Sequence, residues 1–131
     1  MPNLPLLKTP RMRNHGEIWL ANLNPGKGTE PGKIRPVLIL QNQALLDADH
    51  PSTLVIPLTT NLIDDAEPLR IRITADGKLN KDSDLLLDQL RAIDNKRLIE
   101  GPLFVIDETT MGRIYVAVVE VMGMESAVRF R

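Results

Sequence analysis

Three short polar clusters interrupt segments that are otherwise apolar, and each carries side chains able to bind a phosphate or move a proton. The first lies in GEIWLANLNPGKGTEPGKIRPVLILQN, Gly16 to Asn42, where a loop rich in glycine and proline holds Lys27, Lys33 and Arg35. A residue before proline is pushed towards extended backbone angles, so the direction of the Arg35 side chain is partly fixed in advance. Its guanidinium offers a planar fork of donors that matches phosphate oxygens, and the two lysines add attraction.

Two carboxylates near Arg35 in the sequence offer a different role for it. An ion pair with Glu17 or with Glu30 would hold the loop without binding a ligand. A phosphate clamp and a structural ion pair are therefore equal alternatives for this arginine.

The second cluster is LTTN, where Thr59, Thr60 and Asn61 follow an apolar run that ends at Leu58. Hydroxyl groups at the junction of a strand and a loop are often functional, although most threonines there are structural. Pro57 is expected to end or to edge this strand, because proline cannot donate to a sheet ladder.

The third cluster lies in DQLRAID, where Asp88, Gln89 and Arg91 interrupt an apolar strand. An acid and an amide that are buried in such a run need hydrogen-bond partners. These residues are therefore either the anchor of a polar network or part of a site.

Other patterns associated with catalysis are weak. His15 and His50 are expected to be solvated loop side chains, and the spacing pairs neither of them with an acid. Neither a glycine-rich phosphate loop nor a metal-ligand spacing is present, so we expect no cofactor and no metal. Two carboxylate pairs lie in turn-rich stretches where solvated acids are expected: Asp64 with Asp65, and Asp82 with Asp84.

The composition limits the kind of partner. The chain has 131 residues, of which 43% are hydrophobic, and this is enough for a single core. Its formal net charge of -1 is too small to hold nucleic acid by bulk electrostatics alone, so any anion site has to be local. The chain contains no cysteine, which excludes disulfides and thiolate metal sites.

The longest apolar run, Ile114 to Val119, is far shorter than the roughly 18 residues that a membrane span requires, so we expect a soluble protein. Residues 1–15 are rich in proline and basic side chains and contain no signal-peptide core, which predicts a flexible, basic extension. Residues 16–131 are then the folded domain, with a cytoplasmic location.

Alternating apolar residues and turn signals predict five or six short strands, followed by a helix. The helix is expected after a capping Asp107 and before Gly123, since apolar residues recur there at helical spacing. Such an order predicts a mainly β, α+β fold, in which a small barrel-like sheet is covered by a C-terminal helix. The strands are expected at Ile18–Leu23, Val37–Leu40, Leu54–Leu58, Leu69–Ile73, Leu85–Leu90 and Leu103–Ile106.

Together the three clusters resemble the MazF/PemK family of bacterial toxin endoribonucleases. The signatures are the first motif given above, then VIPLTTNL, then LLDQLRAIDNKRL, in the family's order and at its approximate spacing. The resemblance extends from about Gly16 to Gly123. It implies a small SH3-like β-barrel that works as a homodimer and cuts single-stranded RNA at short sequences. It also implies a cognate antitoxin protein that binds across the dimer and blocks the RNA groove.

The resemblance implies roles for three residues. An arginine before proline and a threonine or serine after the third strand form the family's catalytic pair, and these positions match Arg35 and Thr59. Some members also use an aspartate that matches Asp88. Family members leave a 2',3'-cyclic phosphate and a 5'-hydroxyl, and they need no metal.

The chemistry of that reaction agrees with these residue types. When a 2'-hydroxyl attacks the adjacent phosphorus, the protein has to stabilise the extra charge and move protons. Arg35 suits the first task, and Thr59 can donate to a nonbridging oxygen. Because an arginine stays protonated, the base is either Asp88 or a solvent water.

RNA contacts are expected to be polar, since one Trp, one Tyr and two Phe make a poor stacking platform. Arg70 and Arg72 either follow the phosphates or form a solvated outer face. The side chains expected to bind RNA are Lys27, Lys33, Thr60, Asn61, Gln89 and Arg91.

The chain departs from the family pattern at two places. Lys33 stands close to the arginine, where members often have a small residue, and Leu86 replaces an arginine found in some members. Two other functions stay open: a CcdB-like toxin that binds DNA gyrase, and an inactive relative that only binds RNA or antitoxin. The tail ESAVRFR lacks the tryptophan on which CcdB-like activity depends.

Overall fold

The computed structural model describes residues 13–30 and 32–128, which form seven strands and two helices. Two 3-10 turns, Leu87–Gln89 and Asn95–Arg97, flank the sixth strand. The strands and helices in chain order are β1 (Glu17–Asn22), β2 (Ile34–Ile39), α1 (Gln43–Asp47), β3 (Ser52–Thr59), β4 (Arg70–Ile73), β5 (Ser83–Leu86), β6 (Arg91–Asp94), β7 (Leu98–Val105) and α2 (Glu108–Val121).

All described strands join one antiparallel sheet. Its hydrogen-bonded order is β4, β5, β3, β2, β1, β7, and β6 pairs with β3 beside β5. Strand β3 is central, because one edge pairs with β2 while the other pairs first with β6 and then with β5. The prediction of a mainly β fold with a C-terminal helix is confirmed, and the sheet is open rather than closed into a barrel.

The sheet is buried on both faces. Successive side chains of a strand point to opposite faces, so Ile56 of β3 joins one core and Val55 joins the other. Helix α2 covers the first face with Ile114, and α1 contributes Leu46 to the second. Burial on both sides explains why β2 and β3 appear in the sequence as continuous apolar runs instead of alternating ones.

Helix α2 begins and ends where the sequence predicts. The Asp107 carboxylate accepts the backbone N–H of Thr110 at 2.8 Å and its hydroxyl at 3.1 Å, and these bonds lower the pKa of Asp107. Gly123, with φ at 69°, follows the last turn and permits the left-handed conformation that ends the helix. Within the described residues, neither helix is long and apolar enough to cross a membrane.

Two predicted strand boundaries are wrong. Instead of a strand over Leu85–Leu90, β5 ends at Leu86 and a 3-10 turn carries Asp88 and Gln89. Pro57 lies inside β3, opposite Val37 of β2, and not at the strand end. It falls between the part of β3 that pairs with β6 and the part that pairs with β5, so the partner on that edge changes at the proline.

Strand β7 begins earlier than predicted. Its first half contains Gly101 and Pro102, and both residue types are uncommon in strands. A Cβ on Gly101 would collide with the indole ring of Trp19, so the glycine lets β7 approach the ring on β1. Glycine in a strand often marks such a close approach, and here it does not mark a turn.

The predicted flexible extension falls mostly outside the described residues, but its last three residues pack on the fold. Arg13 is buried, and the His15 ring lies 3.0 Å from the Gln41 carbonyl oxygen and 2.6 Å from the Tyr115 hydroxyl. The interpretation of His15 as a solvated loop side chain is therefore wrong. His50 is exposed, as expected.

Two glycine-to-alanine variants test this packing. Gly101→Ala is expected to lower the free energy of unfolding by about 1–3 kcal/mol, because the added methyl overpacks against Trp19. Gly112→Ala is the matched control, since a Cβ there meets nothing within 4 Å and the residue lies inside α2. Alanine should raise the stability at that position by about 0.5–1 kcal/mol. Urea unfolding measures the stability change of each variant, and equal changes would contradict the close packing of Gly101 against Trp19.

Candidate active site

Arg35 and Thr59 meet at the end of the ladder between β2 and β3. Val37 pairs with Pro57, and continuing this register by two residues places Arg35 opposite Thr59. The Arg35 guanidinium donates through Nη1 to the Leu58 carbonyl oxygen at 3.1 Å, directly before Thr59. The structure therefore brings together two of the three residues that the family resemblance marks as catalytic.

Backbone carbonyl groups hold Arg35 in place. Its Nε donates to the Gly32 carbonyl at 2.9 Å, so both contacts are with uncharged acceptors. Of the five N–H donors on a guanidinium, these bonds use two, and three are left within the described structure for an anion. Partial burial lowers the pKa of Arg35 from its usual value, yet an arginine stays protonated in a protein.

Neither carboxylate proposed as a structural partner of Arg35 takes that role in the described residues. Glu17 accepts from the Trp19 indole N–H at 2.9 Å and from the backbone N–H of Asn14 at 2.9 Å. Glu30 lines a pocket with Asp88. The positive charge of Arg35 is therefore held by dipoles and not neutralised by an acid.

The Thr59 side chain is oriented by the next turn of the chain. Its Oγ1 accepts the backbone N–H of Asn61 at 3.2 Å, so the hydroxyl hydrogen is directed elsewhere and can donate. Thr60 and Asn61 are exposed beyond it. Thr60 lines a cleft of about 620 Å³ with Pro36, beside the residue pair.

Asp88, Gln89 and Arg91 form a separate group. Together with Glu30 they line a pocket of about 280 Å³, and Asp88 is exposed there. Within the described residues no hydrogen bond or ion pair joins Asp88 to Arg35 or Thr59. The Nη1 of Arg91 is buried and has no hydrogen-bond partner among the described residues. Because Glu30 belongs to the loop between β1 and β2, this pocket borders the loop that leads to Arg35.

The loop between β1 and β2 carries Lys27 and Lys33, both exposed, and it is internally braced. Gly26 and Gly32 lie so close that a Cβ on either would come within 2.8 Å of the other's backbone. Arg97 donates through Nη1 to the carbonyl oxygen of Asn22, the last residue of β1, at 3.1 Å and to that of Asn24 in the loop at 2.7 Å. The sequence carries no signal for this role of Arg97, since its partners lie far away along the chain.

Arg70 and Arg72 have a carboxylate partner that the sequence interpretation missed. Asp84, expected to be a solvated acid, is 1% exposed and accepts from Arg70 Nη1 at 3.2 Å and from Arg72 Nε at 2.7 Å. Arg72 also pairs with Asp64 at 2.8 Å. The prediction for Asp84 is wrong, and its charge offsets the arginine charges that were considered for an RNA path.

The pairings across four strands place polar residues in one row. Arg72 pairs with Asp84, and Asp84 pairs with Thr59, which lies opposite Arg35. Directly paired residues of antiparallel strands project on the same face, so Arg35, Thr59, Asp84 and Arg72 form a polar row across β2, β3, β5 and β4.

Within residues 13–30 and 32–128, no group of three or more His, Asp or Glu side chains is placed to hold a metal ion.

Comparison with known proteins identifies the family. The model of the PemK-like, MazF-like toxins of type II toxin-antitoxin systems matches residues 14–122. Endoribonuclease MazF of Staphylococcus saprophyticus is 36% identical over 99 residues, which cover 74% of this chain and 81% of that protein.

Solved structures share the fold. MazF of Deinococcus radiodurans aligns with a TM-score of 0.71 at 20% identity, over 86% of this chain and 97% of that one. A mycobacterial endoribonuclease in complex with its cognate antitoxin aligns with a TM-score of 0.63 at 18% identity, over 86% and 94%. The chain belongs to the PemK-like, MazF-like toxin family of type II toxin-antitoxin systems.

Proposed function

We propose that this toxin is an endoribonuclease that cuts single-stranded RNA without a metal, leaving a 2',3'-cyclic phosphate and a 5'-hydroxyl. The observation that carries the proposal is the half-buried guanidinium of Arg35, fixed by the Gly32 and Leu58 carbonyl groups on a strand whose register places Arg35 opposite Thr59. Family membership supports the same activity, since the Staphylococcus saprophyticus relative is an endoribonuclease.

Arg35 stabilises the charge that develops on phosphorus. As the 2'-hydroxyl attacks, the nonbridging oxygens gain negative charge, and donors already in place bind that charge without reorganising. Two backbone bonds fix the guanidinium, and partial burial removes part of the water that would compete for its remaining donors. Arg35 is thus preorganised for the pentacoordinate transition state.

Thr59 donates to a second nonbridging oxygen. Its oxygen already accepts the N–H of Asn61, which leaves the hydroxyl hydrogen to bind the phosphate. Because Thr59 lies opposite Arg35, the two side chains can donate to one phosphate from neighbouring strands.

As the 2'-oxygen bonds to phosphorus, the bond from phosphorus to the 5'-oxygen breaks, and the 5'-oxygen takes up a proton from solvent water to leave as the 5'-hydroxyl. The proton of the attacking 2'-hydroxyl needs an acceptor other than Arg35. Asp88 is the carboxylate proposed for this role, and it is exposed in the pocket that borders the loop leading to Arg35. Solvent water is the alternative base. An RNA chain that passes from the pair towards this pocket would meet Gln89 and Arg91, which line it with Asp88.

RNA is read by hydrogen bonds along the same surface. Lys27 and Lys33 are exposed on the braced loop and attract the backbone, while Thr60 and Asn61 follow Thr59. Few aromatic residues are present for stacking, so specificity comes from polar groups that meet base edges.

The protein partners follow from the family. A mycobacterial relative has been solved in complex with its cognate antitoxin. We propose that this chain forms a homodimer in the bacterial cytoplasm and is inhibited by an antitoxin protein of its own. Exposed apolar side chains such as Ile34, Ile99 and Val105 offer surface for such contacts.

The first experiment is incubation of the antitoxin-free protein with a long single-stranded RNA in EDTA, followed by mapping of the product ends. Wild type should cut at discrete sites and leave the cyclic phosphate. Arg35→Ala should lower kcat by about a hundredfold to a thousandfold, because a preorganised donor to the transition state is lost.

Arg113→Ala is the matched control. Arg113 lies on α2 and forms an exposed ion pair with Glu67, so the variant also removes one arginine. It should cut like wild type. If folded wild type leaves RNA intact, or if Arg35→Ala cuts normally, the proposal fails. A test of binding to DNA gyrase and to RNA would then separate the CcdB-like function from an inactive relative.

The identity of the base is tested by two substitutions in one pocket. Asp88→Asn should lower kcat by about a hundredfold or more, because general-base catalysis is lost. Glu30→Gln, which removes a carboxylate lining the same pocket, should change kcat only slightly. Single-turnover cleavage measures both. Similar, small effects of the two variants would assign the base to water.

A further inference from the structure

We propose that Asp84 is a positioning residue for the reaction, because its buried carboxylate anchors the segment that orients the Thr59 hydroxyl. This inference rests on the proposed function. No part of it follows from the motifs of the sequence, where Asp84 stands outside the three polar clusters.

Asp84 binds the segment after β3 directly. The segment runs from Thr60 to Ile63, and the backbone N–H of Ile63 donates to Asp84 Oδ2 at 2.9 Å. The Asp84 side chain is 1% exposed, so this bond is protected from water. The far end of the segment is thereby tied to β5.

Asp84 also holds the middle of the segment through Arg70. Arg70 Nη1 donates to Asp84 Oδ2 at 3.2 Å and to the carbonyl oxygen of Asn61 at 2.8 Å. The backbone N–H of that same Asn61 donates to Thr59 Oγ1 at 3.2 Å. A continuous set of hydrogen bonds therefore leads from Asp84 through Arg70 and Asn61 to the hydroxyl that is proposed to bind the phosphate.

The second arginine offers an internal comparison. Arg72 donates to Asp84 Oδ1 at 2.7 Å and pairs with Asp64, but it makes no described hydrogen bond to residues 59–63. Arg70 and Arg72 thus share the carboxylate and the strand, while only Arg70 also holds the segment. A role in positioning Thr59 should depend on Arg70 more than on Arg72.

The charge of Asp84 is part of the anchor. Burial opposes its ionisation, but hydrogen bonds from Arg72, the Ile63 N–H and Arg70 outweigh this, so the pKa of Asp84 lies below its ordinary value of 3.8. Replacing the carboxylate with an amide would remove the ion-pair partner of Arg70 and leave Arg72 paired with Asp64 alone among the described residues. The charged groups that face this carboxylate or line its pocket are Arg70, Arg72, Arg113, Asp64, Asp65 and Glu67.

The stability advantage of wild type over Asp84→Asn should therefore depend on pH in a defined direction. A carboxyl group with a lowered pKa in the folded state stabilises the fold above its unfolded pKa, and this contribution is lost as the pH falls through the folded pKa. The Tm difference between wild type and Asp84→Asn should be largest at neutral pH and shrink below pH 3.8. A Tm difference that stays constant with pH would show that the charge of Asp84 does not anchor the fold.

The decisive experiment compares Arg70→Met, Arg72→Met and Asp84→Asn at a temperature where all three are folded. Arg70→Met and Asp84→Asn should lower kcat by about tenfold to a hundredfold with little change in KM, as expected when a donor is misplaced. Arg72→Met should change kcat much less. The double variant Arg70→Met with Asp84→Asn should be no slower than the slower single variant, because both act through one path.

Amide hydrogen exchange gives a second readout that does not depend on activity. The Ile63 N–H should exchange faster in Asp84→Asn, while amides of β2 stay as slow as in wild type. Unchanged exchange at Ile63, or faster exchange without a loss of kcat, would overturn the proposal. If wild type cuts no RNA, the proposed function fails, and the exchange rates alone decide whether Asp84 anchors the segment.

Discussion

Strand β3 is paired on both edges and packed on both faces, and the placement of Thr59 opposite Arg35 depends on its register. A shift by one residue would send Val55 and Ile56 to the wrong cores and would turn Thr59 away from Arg35. Because two buried faces oppose such a shift, apolar packing along the middle of the strand fixes polar chemistry at its end. The end of β3 is also where its partner becomes β5, and this brings Asp84 into the polar row.

Arginine side chains bind backbone carbonyl groups near the ends of several strands. Arg35 donates to two backbone carbonyl groups, Arg70 to that of Asn61, and Arg97 to two at the end of β1 and in the loop after it. Such loops cannot satisfy their carbonyl groups through a ladder, so long side chains with several donors do it instead. The same contacts concentrate positive charge around the candidate site, although the whole chain is almost neutral.

Much of the fold follows from local patterns in the sequence, whereas the site depends on register. The strands around Trp19, Val37 and Leu58, and the helix after Asp107, were predictable because alternation, apolar runs and capping are local signals. Family resemblance named Arg35 and Thr59, but no spacing shows that they face each other. The burial of Asp84 was missed because it requires the register of the hairpin between β4 and β5. The first half of β7 was not predicted, and the reason for Gly101 there is the Trp19 ring on another strand.

The pairing of β1 with β7 joins the first and the last of the described strands. Strand β1 pairs with β2 on its other edge, and β2 carries Arg35. During synthesis on a ribosome, β1 cannot pair with its second neighbour, β7, until β2 to β6 have been made. Helix α2, which seals one core with Ile114, is made later still. Contacts between such distant segments make folding slow and close to all-or-none. A nascent toxin would therefore hold an unfinished sheet until β7 has been made.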